Sequence, residues 1–287
     1  MLFSWIIENT LVYNVEGYKY TIQTSYTEKE VGLMQFVFNL DQAISYDNQP
    51  VSMNLQYMFD FLKDNGHQLI FTSTEAVRNM LPKLDRRFHN EAMIGLDGAV
   101  ICKNGELSQL STFQQSDMQS LHELIERYDA TYVMEGDWDY SYTGGQFHNI
   151  AQKLDMSKLA QNVKPSQLAV SRMTILSADG MEDMQREVET LGFYTKIVGS
   201  HEPTLMITPH TINKWHALQQ IGVVENDYVA IGSDLTDLAV LEHAEYASMI
   251  GYIIELADYA VSRLPDDDKV EKRIIDKCYE LSKKYTV

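Results

Sequence analysis

The sequence is poor in cysteine and has no long apolar run. Only Cys102 and Cys278 occur among its 287 residues, and two distant thiols exclude a disulfide framework or a cysteine metal site. No apolar run approaches the roughly 18 residues of a membrane span, and the amino terminus lacks the basic segment and apolar core of a secretory signal. We therefore expect a cytoplasmic protein without a membrane partner.

Basic residues are also scarce. The 23 lysines and arginines face 41 aspartates and glutamates, which gives a formal net charge of −18. Nucleic acids and anionic membranes are bound chiefly by lysine and arginine, so this balance argues against general binding to either. Any phosphate site must be local. Apolar residues are plentiful, and 45% hydrophobic content is ample for two domains or for one large domain with an insertion.

A buried strand is predicted at residues 36–41, followed by a polar loop and an amphipathic helix over 52–64. Asn39 and Asp41 are two positions apart, so their side chains lie on the same face of this strand. Ligands of doubly wound α/β sheets bind outside the carboxyl ends of the strands. The pattern therefore predicts a ligand site that includes Asn39 and Asp41.

Other predicted elements place polar residues in comparable positions. Thr72 and Ser73 follow an apolar strand at 67–71, Lys214 lies in a predicted helix, and a polar stretch at 233–237 follows the strand at 228–231. Each residue also has a simpler interpretation. The hydroxyls and the aspartates could be helix or loop caps, and the lysine could be solvated. Their joint placement favours one site with a local capacity to bind an anion.

The composition of elements changes along the chain. Residues 113–192 mix strands and helices and predict an inserted α+β domain. Residues 34–112 and 193–287 predict an α/β core, whose pattern resumes with a strand at 204–207. Residues 1–33 predict a β-hairpin extension, which could pair with a sheet edge in its own chain or in a second copy.

The order of these residues resembles the haloacid dehalogenase (HAD) superfamily of phosphohydrolases, in particular its sugar-phosphatase-like (Cof-type) branch. The resemblance covers about residues 34–287. The four family motifs are Asp-x-Asp, a strand-end Thr or Ser, a helix-opening Lys, and Gly-Asp followed by a second Asp. The matching stretches here are Asn39-Leu40-Asp41, Thr72, Lys214 and Gly232-Ser233-Asp234-Leu235-Thr236-Asp237. Asp97-Gly98-Ala99 is similar to the Asn-Gly-Ala step that precedes the cap in this branch.

The resemblance implies a fold and a set of roles. The fold is a doubly wound, mostly parallel (Rossmann-like) α/β core with an inserted α+β cap. Asn39 stands at the nucleophile position and Asp41 at the acid/base position. The implied phosphate-binding residues are Thr72, Ser73 and Lys214. The implied Mg²⁺ site, weakened here, consists of Asp41, Ser233, Asp234 and Asp237.

Two of the four motifs differ from the family pattern at positions that would take part in the chemistry. An amide has no anionic oxygen, so Asn39 would be a very poor nucleophile. Asn39 and Ser233 also replace carboxylates that Mg²⁺ would use as ligands. We therefore expect a HAD-like protein with a pocket for phosphate or a phosphorylated metabolite between core and cap, and with hydrolase activity lost or strongly reduced.

Two alternatives stay open. One is an active Mg²⁺-dependent phosphate-monoester hydrolase, in which Asp41 is the nucleophile or Asn39 is an engineered substitution that traps a substrate. The other is a structural or assembly protein that binds no phosphate. In each case the hairpin or the cap could mediate homo-oligomer formation or contact with a protein partner.

Overall fold

A computed structural model describes residues 11–15, 18–22, 33–46, 49–146, 148–199, 202–210 and 212–286. The chain divides into two compact units, Met1–Val31 and Gly32–Val287. Within the described residues of the first unit, two antiparallel strands form the predicted hairpin. The rest of the predicted extension lies outside the described residues.

The described residues form fifteen strands. In chain order they are β1 (Leu11–Val15), β2 (Tyr18–Ile22), β3 (Gln35–Asn39), β4 (Gln68–Thr72), β5 (Ala92–Gly95), β6 (Val100–Lys103), β7 (Glu106–Gln109), β8 (Thr131–Glu135), β9 (Tyr140–Tyr142), β10 (Arg172–Ser177), β11 (Tyr194–Val198), β12 (Thr204–Thr208), β13 (Tyr228–Gly232), β14 (Tyr246–Ile250) and β15 (Ser262–Leu264).

Eight α-helices occur in the same part of the chain. They are α1 (Met53–Asp64), α2 (Val77–Met80), α3 (Gln115–Arg127), α4 (Asn149–Lys153), α5 (Met181–Thr190), α6 (Lys214–Gln220), α7 (Leu238–Glu242) and α8 (Val270–Tyr285). Among the described residues, no helix has both the length and the apolar character that crossing a bilayer requires.

The larger sheet has eight strands in the order β15-β14-β13-β3-β4-β5-β6-β7. Its strands are parallel from β15 to β5, and β6 and β7 extend it through two antiparallel pairings. The predicted mostly parallel α/β core is confirmed.

Both faces of this sheet are covered, which explains why its strands read as continuous apolar runs. Phe36 and Phe38 of β3 belong to one hydrophobic cluster, in which the rings of Phe38 and Phe59 of α1 are 5.0 Å apart between centroids. Val37, which points to the opposite face, clusters with Trp215 of α6. The two clusters fix β3 at the centre of the core.

The smaller sheet is antiparallel, with the strand order β11-β12-β10-β8-β9. One hydrophobic cluster joins Met173 of β10 with Leu121 of α3 and Met184 of α5. This sheet and its helices form the predicted α+β cap.

One strand was wrongly placed by the sequence pattern. The strand predicted to resume the core at 204–207 is β12, and it pairs with β10 and β11 in the cap sheet. The cap sheet therefore extends past residue 192 to Thr208. An apolar run of five residues fits a buried strand of either sheet, so periodicity could not assign it.

The topology brings three polar strand ends to one edge of the core. β13, β3 and β4 are neighbours with the same direction. The Leu40 amide donates to the Thr72 carbonyl at 2.8 Å, which keeps the chain segments after β3 and within β4 together at this edge. Carboxyl ends of parallel strands are where doubly wound sheets bind ligands.

Candidate functional site

Asn39, at the end of β3, is the centre of a polar cluster and is 1% exposed. Its Nδ2 atom faces four oxygens from two chain segments. These are Asp237 Oδ2 at 2.8 Å, Asp234 Oδ2 at 3.1 Å, Ser233 Oγ at 3.2 Å and the Asp41 carbonyl at 3.4 Å. The amide nitrogen of Asn39 thus joins the segments that follow β3 and β13.

The orientation of this carboxamide is determined by its partners. Asn39 Oδ1 accepts from the Asp41 amide at 3.3 Å and from Lys214 Nζ at 3.5 Å. Exchanging the oxygen and the nitrogen would place the oxygen against two carboxylates and the NH₂ group against two donors. Only the observed orientation pairs every donor with an acceptor.

Lys214 and Asp237 form a buried ion pair beside Asn39. Lys214 Nζ lies 2.7 Å from Asp237 Oδ1, and the two side chains are 0% and 1% exposed. Burial alone would lower the pKa of Lys214, but the carboxylates of Asp237, Asp234 and Asp97 raise it above its ordinary value. Gly232 permits this packing, because a Cβ there would lie 2.8 Å from Asp237 Cβ.

Asp41 turns away from Asn39 toward the segment after β4. Ser73 Oγ donates to both of its carboxylate oxygens at 2.9 Å, and Thr74 donates to Oδ2 through its amide at 2.7 Å and its hydroxyl at 3.0 Å. Lys83 Nζ lies 3.4 Å from Oδ1. The Ser73 hydroxyl, which is predicted to bind phosphate, therefore donates its hydrogen to the Asp41 carboxylate.

Thr72 differs from its neighbours. Its residue is 1% exposed, and its hydroxyl oxygen has no hydrogen-bond partner among the described residues. Leaving a buried hydroxyl unpaired costs about 1–3 kcal/mol. This group therefore has an unused capacity to bind a ligand or a water.

A charged cluster that sequence patterns did not predict joins core and cap. Arg78 of α2 and Arg172 of β10 both donate to Glu135 of β8, at 2.8 Å and 2.6 Å. Burial would raise the pKa of Glu135, but the two guanidinium groups hold it below its ordinary value. The available signal was an arginine, Arg78, between the apolar residues Val77 and Met80. Glu135 and Arg172 gave no local signal.

Asp97 lies between this cluster and the Asn39 site. Its backbone has a left-handed φ of 58°, and the next residue must be glycine because a Cβ at Gly98 would lie 2.4 Å from the Asn213 carbonyl oxygen. Asp97 Oδ2 lies 3.4 Å from Arg172, while its buried Oδ1 has no partner among the described residues. Burial raises the pKa of Asp97 above its ordinary value, although the positive charges of Arg172 and Lys214 act to lower it.

Cavities lie between core and cap on either side of these residues. One, of about 160 Å³, is lined by Glu75 and Asn79 of the core and by Lys153 and Arg172 of the cap. Another, of about 230 Å³, is lined by residues that include Asp97, Asn213, Thr236 and Lys196.

Oxygens of the four residues expected to bind Mg²⁺ converge, but on the amide nitrogen of Asn39. Mg²⁺ requires oxygen donors in near-octahedral geometry, whereas Asn39 presents its nitrogen and Asp41 is turned to Ser73 and Thr74. The described part of the chain has no group of three His, Cys, Asp or Glu side chains arranged to hold a metal ion. The arrangement does not fit Mg²⁺.

Known proteins with this architecture are numerous. A family model described as haloacid dehalogenase-like hydrolase matches residues 36–262. A solved haloacid dehalogenase-like hydrolase from Bacteroides thetaiotaomicron is 14% identical and has a TM-score of 0.72, covering 87% of this chain and 99% of its own. One from B. subtilis is 14% identical, with a TM-score of 0.66 and coverage of 86% and 99%.

A HAD subclass IIB sugar phosphatase is also similar. It is 14% identical to this chain, has a TM-score of 0.65, and covers 86% of this chain and 98% of its own. Among curated proteins, none matches the sequence. At these identities the solved structures establish a shared fold.

Proposed function

The chain belongs to the haloacid dehalogenase-like hydrolase family, and on that basis we propose that it binds phosphate or a phosphorylated metabolite between core and cap, with phosphatase activity lost or strongly reduced. One observation carries the proposal. The position of the expected nucleophile holds the Asn39 carboxamide, and both ends of that group are hydrogen-bonded inside the site.

The chemistry of Asn39 argues against attack on phosphorus. A nucleophile in such a reaction supplies an anionic oxygen that forms a covalent intermediate. Asn39 Oδ1 is neutral and accepts from the Asp41 amide and from Lys214. The hydrogen bonds further reduce the electron density that this oxygen could offer.

Asp41 is poorly placed to substitute for it. Its two carboxylate oxygens accept from Ser73 and Thr74 and face Lys83. To attack phosphorus, this carboxylate would have to break these contacts. The contacts of Asp41 therefore favour the inactive protein over the active hydrolase.

The phosphate-binding half of the site is better preserved. The Thr72 hydroxyl is buried without a partner among the described residues, and Lys214 supplies an ammonium group beside Asn39. We propose that these two groups donate to the bound phosphate. Metal binding is not required for these two contacts, so we expect phosphate to bind in the absence of Mg²⁺.

Two assays test the proposal. With Mg²⁺ and a panel of sugar phosphates, nucleotides and a chromogenic ester, the purified protein is expected to release phosphate no faster than a buffer control. Turnover that exceeds the control and disappears in Asp41→Ala would contradict the loss of activity. Calorimetry without metal is expected to show saturable binding of inorganic phosphate or a sugar phosphate.

The Thr72→Val variant makes the binding assay specific. We expect its phosphate affinity to fall about tenfold to a hundredfold, because one hydrogen bond to a charged acceptor contributes about 1.5–3 kcal/mol. The free protein should be no less stable, since the hydroxyl has no partner to lose. Thr204→Val is the matched control, because the Thr204 hydroxyl donates to the Val198 carbonyl of the cap. Absence of any binding would favour a structural protein.

A further inference from the structure

The surroundings of Asn39 Nδ2 are unusual for an amide nitrogen. An amide NH₂ has two hydrogens to donate, yet four oxygens lie within 3.4 Å of this atom. Two of them belong to the carboxylates of Asp234 and Asp237. Several oxygens that converge on one point, with two acidic groups among them, form the kind of shell that surrounds a cation.

Two carboxylates converge on this point, where Asp237 Oδ2 also accepts from the Ser233 amide at 2.8 Å. Asp234 and Asp237 both aim one oxygen at Nδ2, at 3.1 Å and 2.8 Å. Lys214 contacts the other oxygen of Asp237 at 2.7 Å. Asp234 Oδ2 has Nδ2 as its hydrogen-bond donor, while Asp234 Oδ1 accepts from Thr236. The positive end of the Asn39 amide dipole is thus what faces both acids.

We propose that the Asn39 amide nitrogen replaces a bound cation and holds Ser233, Asp234 and Asp237 in place, so that this site assembles without metal. The segments that it joins are 194 to 198 residues apart in sequence. Because Asn39 carries a carboxamide in place of a carboxylate, the site needs no metal ion to hold its acidic side chains together. The inference concerns the cation and not the phosphate, so it can fail or hold separately from ligand binding.

The Asn39→Asp variant tests the proposal. The new carboxylate removes the only NH₂ group in the cluster and places a third acid against Asp234 and Asp237. We expect the variant to melt at a lower temperature than the wild type in EDTA, and Mg²⁺ or Mn²⁺ to restore the melting temperature. Calorimetry with the metal alone should show affinity at least about tenfold above that of the wild type, because one charge-assisted hydrogen bond or ligand contributes that much.

Three further variants make the result specific. Asn90→Asp makes the same change of charge at an exposed residue and should respond to neither EDTA nor Mg²⁺. Asn39→Leu removes the donor without adding a ligand, so it should be destabilised in EDTA and not rescued by metal. In Ser233→Asp the amide stays in place, so we expect no metal binding despite the added carboxylate.

The proposal would be overturned by any of three results. The wild type could bind Mg²⁺ as tightly as Asn39→Asp does, Asn39→Asp could melt like the wild type and ignore metal, or Ser233→Asp could bind metal while Asn39 is present. If Asn39→Asp is recovered only as aggregate, Ser233→Asp alone decides, because metal binding there means that the nitrogen does not fill the position of a cation.

Discussion

Replacing Glu135 with glutamine is expected to lower the free energy of unfolding by about 3–5 kcal/mol, the cost of breaking a buried ion pair by removing one partner. Glu135 is the single carboxylate between the guanidinium groups of Arg78 and Arg172. The side chains of Arg78 and Glu135 are 0% and 6% exposed, so water cannot replace the lost contacts. Urea unfolding followed by circular dichroism measures the change.

A surface pair provides the control. Glu187 and Arg127 lie 2.5 Å apart, with side chains 43% and 57% exposed. Because exposed ion pairs contribute about 0–1 kcal/mol, Glu187→Gln should change the free energy of unfolding by no more than that. Equal losses in Glu135→Gln and Glu187→Gln would mean that the buried cluster has no special role.

The Glu135 cluster also bears on how the cap is held. Arg78 belongs to the core, and besides Glu135 it donates to the carbonyls of Leu154 and Trp138 in the cap, at 3.2 Å and 2.9 Å. Arg172 of the cap donates in return to the Thr74 carbonyl of the core at 2.6 Å. Loss of Glu135 should therefore expose the core and cap junction, and limited proteolysis should cleave Glu135→Gln there faster than the wild type.

Replacing Lys214 with methionine is expected to have an effect of similar size, again about 3–5 kcal/mol. Asp237 would keep its charge at 1% side-chain exposure, with Asp234 close by and without the ammonium group. Lys277→Met is the matched control. Its lysine pairs with Glu280, whose side chain is 65% exposed, so we expect a loss of no more than about 1 kcal/mol.

The pH dependence of Lys214→Met gives a second readout. Burial raises the pKa of the Asp237 carboxyl, and Lys214 opposes this. Without the lysine the folded-state pKa should lie well above the unfolded value of about 3.9, so the folded state binds the proton more readily. The stability deficit should then be full at neutral pH and shrink as the pH falls through that raised pKa.

Neutralising both partners completes the test. The double variant Lys214→Met with Asp237→Asn removes both charges and keeps a side chain that can hydrogen-bond to Asn39 and Ser233. We expect it to regain most of the stability lost in Lys214→Met, and to lose the pH dependence. A double variant as unstable as Lys214→Met would show that the unpaired charge is not the cause.

The core of the fold was predictable because its signals are local. A continuous apolar run at 36–38 requires burial on both faces, and these residues pack into clusters on opposite sides of β3. The polar residues after β3, β4 and β13 were expected to meet, since parallel neighbouring strands place their carboxyl ends together. The prediction that the strand at 204–207 belongs to the core was wrong, because an apolar run carries no information about which sheet it joins.

The side-chain partners were not predictable. Ser73, which we predict to bind phosphate, donates to Asp41, and the rotation of Asp41 toward it follows from the position of the loop after β4. The cluster of Arg78, Glu135 and Arg172 depends on how the cap sheet rests on α2. Such contacts join residues far apart in sequence, and no periodicity records them.

By itself the sequence determined the family, the strand at the centre of the core and the chemical nature of its last residue, a carboxamide at Asn39. Only the tertiary structure decided what that carboxamide does. Its nitrogen faces Asp234 and Asp237 from 195 and 198 residues away. The physical reason is that the burial of a strand depends on residues that are neighbours in sequence. The hydrogen-bond partners and charges around a polar group come from distant segments, which only folding brings within hydrogen-bonding distance.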